Sequence, residues 1–174
     1  MLVAGSYFLF WNHTSVPETS DVSATIQSFS TEPMEIMAIE EVEEDWVAFF
    51  KDDKRMYVGL LKRNLIGQWR LADGLGNEGP IGEVLLKKDN QANGISWGVS
   101  GLSKGDERLY SFYYGSISNP EVDEVLLSVG GRKAEAVQFI EGEKDRFFFL
   151  RETEKPVPYE FTAIADGEII DTES

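Results

Sequence analysis

The chain has 174 residues, of which 42% are hydrophobic and 12% aromatic, enough for one domain with an apolar core. Its 16 Lys and Arg against 31 Asp and Glu give a net charge of −15, and such a shell of carboxylates repels nucleic acids and anionic lipids. The lack of Cys excludes disulfide scaffolds, thiol nucleophiles and thiolate-held metals. The one histidine, His13, gives a serine hydrolase no suitable base. We therefore expect no nucleic-acid partner, no cofactor and no metal site.

Residues 1–14 begin with an apolar run, Met1 to Trp11, that ends in polar residues. The run is shorter than the about 20 residues of a spanning helix, and no basic segment precedes it. Two interpretations stay open: the remainder of a signal peptide or membrane anchor, or a first β-strand over Leu2 to Trp11. Because no cation follows the run, the anchor with the chain on the extracellular side of the cell membrane is favoured.

Residues 15–33 are predicted to form a linker or a short helix. The first fifty residues hold no Lys or Arg and nine acids, so the charge imbalance is mainly N-terminal. Ser20 or Asp21 can cap a helix, and Pro33 ends it. The apolar positions recur at helical spacings of four and three: Val22, Ile26 and Phe29.

Residues 34–174 are predicted to form a single β domain, an antiparallel β-sandwich or a twisted pair of meanders. Short runs of β-branched and aromatic residues alternate with clusters of Asp, Asn, Gly and Lys. The absence of long apolar helical periods argues against parallel α/β folds. The predicted strands are Glu35 to Val42, Trp46 to Lys51, Arg55 to Lys62, Gln68 to Ala72, Ile81 to Lys87, Ile95 to Gly101, Arg108 to Ser116, Val122 to Val129, Ala134 to Glu141, Arg146 to Glu152, and Tyr159 to Ala165 with a tail at Glu168 to Asp171.

Several connectors contain residues that tolerate the positive φ of tight turns, among them Gly130-Gly131 and Asp166-Gly167. Successive strands should therefore pair as antiparallel hairpins. A strand, charged turn, strand and Asp-Gly pattern occurs twice at offsets of about 90 residues. Either two related meanders, about 34–90 and 122–174, or a chance likeness of hairpins explains it.

Acidic side chains are abundant, so a close pair of carboxylates is not a specific signal. The densest run, Glu40 to Asp45, is either a cation or basic-partner site or a solvated edge, and the flat run favours the edge because calcium needs converging oxygens. Asp89, Gln91 and Asn93 only faintly resemble the start of a calcium loop.

Two aromatic runs, Tyr110 to Tyr114 and Phe147 to Phe149, present rings on both faces of a strand. Such strands either lie at the centre of a sandwich or lend one face to a ligand. Exposed rings on a sheet can stack on sugars or anchor a protein interface, whereas buried rings build the core. The candidate ligand-binding residues are Trp97, Tyr113, Trp69 and Tyr57.

The apolar opening, the acidic stretch rich in Ser, Thr and Pro, and the β-rich body ending in Tyr159 to Ile170 resemble the layout of small membrane-anchored or exported proteins of Gram-positive bacteria. The resemblance covers the layout and no motif, and it implies no catalytic residues. Since the lipobox cysteine of the lipoprotein version is missing, the implied tether is a helical anchor.

These features predict a non-catalytic extracytoplasmic binding domain for a protein or glycan, held at the membrane only through its N-terminal anchor. Two alternatives are a carboxylate-based glycan hydrolase on a β-sandwich and a soluble intracellular interaction protein whose residues 2–11 form a strand. The ligand and the oligomeric state are not specified by the sequence.

Overall fold

The computed structural model describes residues 16–42, 45–86, 92–104, 107–152 and 158–173. These residues form one α-helix, a single 3-10 turn and thirteen strands. The helix is α1 (Thr19–Ser28), and the 3-10 turn is Ala92–Gly94. The strands are β1 (Glu35–Val42), β2 (Asp45–Lys51), β3 (Arg55–Arg63), β4 (Trp69–Ala72), β5 (Gly82–Leu85), β6 (Ile95–Lys104), β7 (Glu107–Ile117), β8 (Glu124–Val129), β9 (Glu135–Ala136), β10 (Ile140–Glu141), β11 (Arg146–Glu152), β12 (Tyr159–Ala165) and β13 (Glu168–Glu173).

The strands of the described residues assemble into three sheets, and every pair within them is antiparallel. Sheet A has the order β1-β2-β3-β4, with β5 also paired to β3. Sheet B has the order β10-β11-β7-β6, and sheet C the order β13-β12-β8-β9. The prediction of a mainly β, antiparallel fold with a short helix is therefore confirmed.

The contacts between elements give four layers, with α1 on sheet A, sheet A on sheet B, and sheet B on sheet C. Val22 and Ile26 of α1 lie in one apolar cluster with Trp69 and other residues of sheet A. A second cluster joins sheets A and B through Phe49 and Phe147, whose ring centroids are 4.9 Å apart. The third cluster joins sheets B and C, so sheet B is the middle layer.

The middle position of sheet B explains the rings on both faces of its strands. Along β7, Phe112 and Tyr114 pack toward sheet A, while Tyr113 packs toward sheet C. In β11, Phe147 and Phe148 divide in the same way. Because successive side chains of a strand point to opposite faces, a strand buried on both sides needs a continuous apolar run. The rings therefore mark a central strand.

Two glycines let these rings lie flat across the neighbouring strands of sheet B. A Cβ atom at Gly98 would lie 2.7 Å from Cζ of Tyr114, the residue opposite it in β7. A Cβ atom at Gly115 would lie 2.5 Å from Cζ of Phe148 and 2.6 Å from the backbone oxygen of Ser96. Both glycines thus serve the close approach of an aromatic ring, a common role of glycine within strands.

The helix α1 follows its predicted apolar spacing, with Val22 and Ile26 fully buried against sheet A. Its start differs from the prediction, because Glu18 occupies the N-cap position and makes no side-chain capping bond there. Tertiary contacts fix the helix instead, since Thr25 Oγ1 donates to the backbone oxygen of Trp69 at 3.0 Å. Phe29 at its end packs edge-on against Tyr57.

Most strands match their predicted bounds to within one to three residues, but the run from Ala134 to Glu141 does not. It was expected to be one strand, and the structure divides it into β9 in sheet C and β10 in sheet B. The apolar alternation slips by one position at Ala136 and Val137 and again at Phe139 and Ile140, and a slip moves side chains to the other face of a strand.

The hairpin prediction holds for several neighbours, and the tight turn at Asp166-Gly167 joins β12 to β13 with φ values of 51° and 78°. Elsewhere the chain changes sheet, since β12 pairs with β8 and β11 pairs with β7. Residues 34–86 lie within sheet A, whereas residues 122–173 are shared between sheets B and C. The possible strand at residues 2–11 and His13 lie outside the described residues.

Candidate functional site

The four aromatic residues singled out in the sequence lie in the protein core. Trp97 is 5% exposed, Tyr113 0%, Trp69 7% and Tyr57 7%. The sequence left two interpretations open, ligand binding and core packing, and the structure shows these four side chains in the core. In this conformation their rings form no exposed platform on which a sugar or a partner could stack.

Trp97 and Tyr113 lie between sheets B and C and share Phe161 as a neighbour. The rings of Trp97 and Phe161 stack with centroids 4.7 Å apart, and Tyr113 meets Phe161 edge-on at 6.1 Å. Aromatic pairs in these geometries stabilise a core beyond the burial of their surface. These two residues hold the middle and outer layers together.

Tyr57 lies near the start of β3, and Trp69 begins β4 beside Arg63 at the other end of β3. Both side chains are on the face of sheet A that α1 covers. The guanidinium of Arg63 lies 4.8 Å from the centroid of the Trp69 ring. Tyr57 stacks on Phe50 with centroids 5.4 Å apart. The helix covers this face, so it too is part of the interior.

The hydroxyl of Tyr57 does have a polar partner at the turn between β2 and β3. It donates to Asp52 Oδ2 at 2.8 Å, and Asp52 Oδ1 accepts the backbone N–H groups of Lys54 and Arg55, each at 2.7 Å. Burial and the bond to Asp52 raise the pKa of Tyr57 to about 12. These hydrogen bonds stabilise the turn between β2 and β3, a common role of Asp side chains in turns.

The described residues of the acidic run from Glu40 to Asp45 differ in their surroundings, and Glu43 and Glu44 lie outside the described residues. Glu40 and Glu41 are exposed at the end of β1. Asp45 is paired with two cations, Lys62 and Arg151, and its Oδ2 lies 2.6 Å from Nη1 of Arg151. Burial and the nearby charge of Arg151 lower the pKa of Lys62. Since Arg151 belongs to sheet B, the Asp45 carboxylate ties sheets A and B together.

The part of the chain that the structure describes contains no group of three or more His, Asp or Glu side chains arranged to hold a metal ion. Of the weak calcium-loop residues, Asp89 and Gln91 lie outside the described residues. Asn93 is exposed, and its amide donates to the backbone oxygen of Ile170.

A cleft of about 650 Å³ lies where the edges of the three sheets meet. We call it the edge cleft. It lies between the end of β1, the strands β8 and β11, and the segment 132–141 that carries β9 and β10. Clefts of this size accommodate small molecules or a short stretch of polypeptide.

The edge cleft has an apolar floor and a charged rim. The floor residues are Val42, Leu127, Val129, Val137, Phe139, Ile140, Phe149 and Leu150. The rim has five glutamates and two cations, namely Glu40, Glu41, Glu135, Glu141, Glu152, Arg132 and Lys133. One ion pair joins two rim residues, with Arg132 Nη2 lying 3.0 Å from Glu152 Oε2. An apolar floor with a polar rim is typical of a binding surface.

The sequence did not identify this cleft, because its residues come from five strands in three sheets. The one available signal was the interrupted alternation between Ala134 and Glu141, which marks where the chain crosses from sheet C to sheet B. Alternation shows which face of a strand is buried, but it does not specify which other strand lies beside it in a sheet.

No protein-family model matches the chain, and comparison with curated proteins and with solved structures gives no significant match. Within the described ranges, the helix is too short and too polar to cross a bilayer.

Proposed function

We propose that the chain is a non-catalytic binding domain, held on the extracellular side of the cell membrane, whose ligand occupies the edge cleft. The observation that carries the proposal is the convergence of three sheet edges around a cleft with an apolar floor and an acidic rim. Apolar contact with the floor would contribute to the affinity for a ligand buried there. The charges of the rim would contribute to specificity, because they favour ligands of complementary charge.

The aromatic core supports this assignment. With Tyr113, Tyr114, Trp69 and Trp97 buried, the large rings are committed to holding the layers together. The binding surface is then carried by strand ends and the segment 132–141, on a scaffold with buried cores on either side of sheet B. Function carried at the ends of elements on a rigid scaffold is a common arrangement.

The N-terminal residues support the extracellular location. An apolar run over Met1 to Trp11, a Ser, Thr and Pro-containing stretch after it, and no cation among the first fifty residues are typical of an exported domain with an N-terminal tether. Cytoplasmic flanks of membrane segments are instead enriched in Lys and Arg.

The test is expression of the full chain in a Gram-positive bacterium, followed by separation of membrane and soluble fractions. We expect the chain in the membrane fraction and its degradation by protease added to intact cells. Recovery in the soluble cytosolic fraction, protected from added protease, would instead support an intracellular interaction protein.

The glutamates of the rim favour a second candidate, a carboxylate-based glycan hydrolase. Purified protein incubated with peptidoglycan should release no reducing sugar if the chain only binds. Release that disappears in both Glu141→Gln and Glu152→Gln, with Glu160→Gln as an exposed control outside the cleft, would replace our proposal with catalysis.

A further inference from the structure

In the part of the chain that the structure describes, sheet B ends in an open strand edge inside the edge cleft. β11 pairs with β7 along its whole length, from Arg146 to Glu152, whereas β10 pairs only with Arg146 and Phe147 of β11. Among the described residues, Phe148 to Glu152 therefore have a strand neighbour on one side only. At about 3.3 Å per residue, this open edge is about 16 Å long, which is room for roughly five residues of another strand.

The outer sheets leave a slot beside this edge. β1 is an edge strand of sheet A, and Val42 at its end packs on the side facing sheet B, as Glu40 does by the alternation of the strand. On sheet C, Leu127 faces sheet B and Glu135 lies opposite it in β9, which has only two residues. A strand added to β11 would therefore continue the middle layer.

An open edge presents backbone N–H and C=O groups to any extended chain that approaches it. Addition of a strand to such an edge is a recurring mode of peptide recognition, in which backbone bonds provide affinity and side-chain pockets provide specificity. Phe149 and Leu150, which line the cleft, are the side chains of the edge that an added strand would cover.

We propose that the edge cleft binds an extended, cationic segment of a partner polypeptide, which pairs with β11 as a further strand of sheet B. The proposal rests on the proposed function only in using the same cleft, and it adds the class of ligand. The five rim glutamates outnumber the two rim cations, one of which is already paired with Glu152. Apolar residues in the middle of the segment would meet the floor, and Lys or Arg at its ends would meet the rim.

The probe is a blocked, fluorescein-labelled heptapeptide, Lys-Val-Thr-Val-Thr-Val-Lys, titrated with the full chain in detergent micelles and followed by fluorescence anisotropy. Two control peptides separate the contributions. One replaces both lysines with glutamate, and the other carries N-methyl groups on all five inner residues, which remove the inner backbone donors of both edges while leaving the side chains unchanged.

We expect saturable binding of the lysine peptide, at least about tenfold weaker binding of the glutamate peptide, and no detectable binding of the N-methylated one. In the protein, Glu135→Lys should weaken binding about fivefold, the effect of losing roughly 1 kcal/mol of charge interaction. Glu160→Lys, which alters an exposed strand residue outside the cleft, should leave the affinity unchanged.

Equal binding of the methylated and unmethylated peptides would overturn strand addition, and no binding of any peptide up to millimolar concentration would overturn the peptide ligand itself. These results are separable from the location test. A chain recovered in the cytosol that still binds the probe would contradict the extracellular tether and leave the ligand class standing.

Discussion

Gly115 lies where the middle sheet leaves no room for a larger side chain. A methyl group there would meet both the ring of Phe148 and the backbone oxygen of Ser96, which cannot move without shifting β6. We expect Gly115→Ala to lower the free energy of unfolding by roughly 1 to 3 kcal/mol, the usual range for overpacking a core. Urea unfolding followed by tryptophan fluorescence measures it.

Gly59→Ala is the matched control, because a Cβ atom at Gly59 would meet chiefly the end of the Leu71 side chain, at 2.5 Å. A side-chain end can change its position, so the loss should be smaller than at Gly115. A larger loss at Gly59 would mean that the rings of sheet B are not packed as described.

Tyr57 makes the free energy of unfolding depend on pH in the alkaline range. Burial and the bond to Asp52 raise its pKa to about 12 in the folded state, above the ordinary value near 10. Folding therefore favours the neutral phenol, and this stabilisation is complete below pH 10 and is lost as the pH rises toward 12. Tyr57→Phe should reduce the fall in the free energy of unfolding over that interval.

The same substitution removes a hydrogen bond and should cost about 1 kcal/mol at neutral pH. Chemical unfolding at several pH values measures both effects. Because burial also raises the pKa of Tyr114, part of the alkaline dependence should remain in the variant. An unchanged pH profile in Tyr57→Phe would contradict the bond to Asp52.

At the scale of elements, the clearest tie between sheets is the Asp45 carboxylate, which joins Lys62 in β3 to Arg151 in β11. Asp45 is 12% exposed and Arg151 27%, so the pair lies between a surface ion pair and a buried one. A double-mutant cycle with Asp45→Asn and Arg151→Met should give a coupling energy of about 1 kcal/mol, measured by urea unfolding. A coupling near zero would show that this pair does not hold the two sheets together.

The bounds of elements could be predicted because turn residues and apolar runs are local signals. Glu35–Val42, Arg146–Glu152 and Tyr159–Ala165 have the predicted bounds. The division of residues 134–141 between two sheets was missed, since each resulting strand has only two residues. β9 pairs with the strand before it, β8, and β10 with the strand after it, β11. Strand length below about three residues leaves too little pattern to detect.

At the scale of the molecule, sheet B connects the other two sheets, because its residues contribute to the apolar cores on both of its faces. The sequence predicted strands with rings on both faces and named central burial as one explanation, which the structure bears out. It did not predict the edge cleft, because a cleft between sheet edges requires the order of strands in all three sheets. The sequence also did not show which strands are covered on both faces. Trp97 and Tyr113 were therefore named as candidate ligand-binding residues, although both are core residues.

The proposed binding mode requires that the edge of β11 from Phe148 to Glu152 is open to a further strand. The direct measurement is hydrogen exchange of the backbone amides from Phe148 to Glu152, resolved by NMR, with and without the lysine heptapeptide. In the free protein, alternate amides should exchange rapidly while those bonded to β7 stay protected, and the peptide should slow the rapid ones at least about tenfold. Full protection of all five amides in the free protein would show that another part of the chain already occupies this edge, and it would contradict the account.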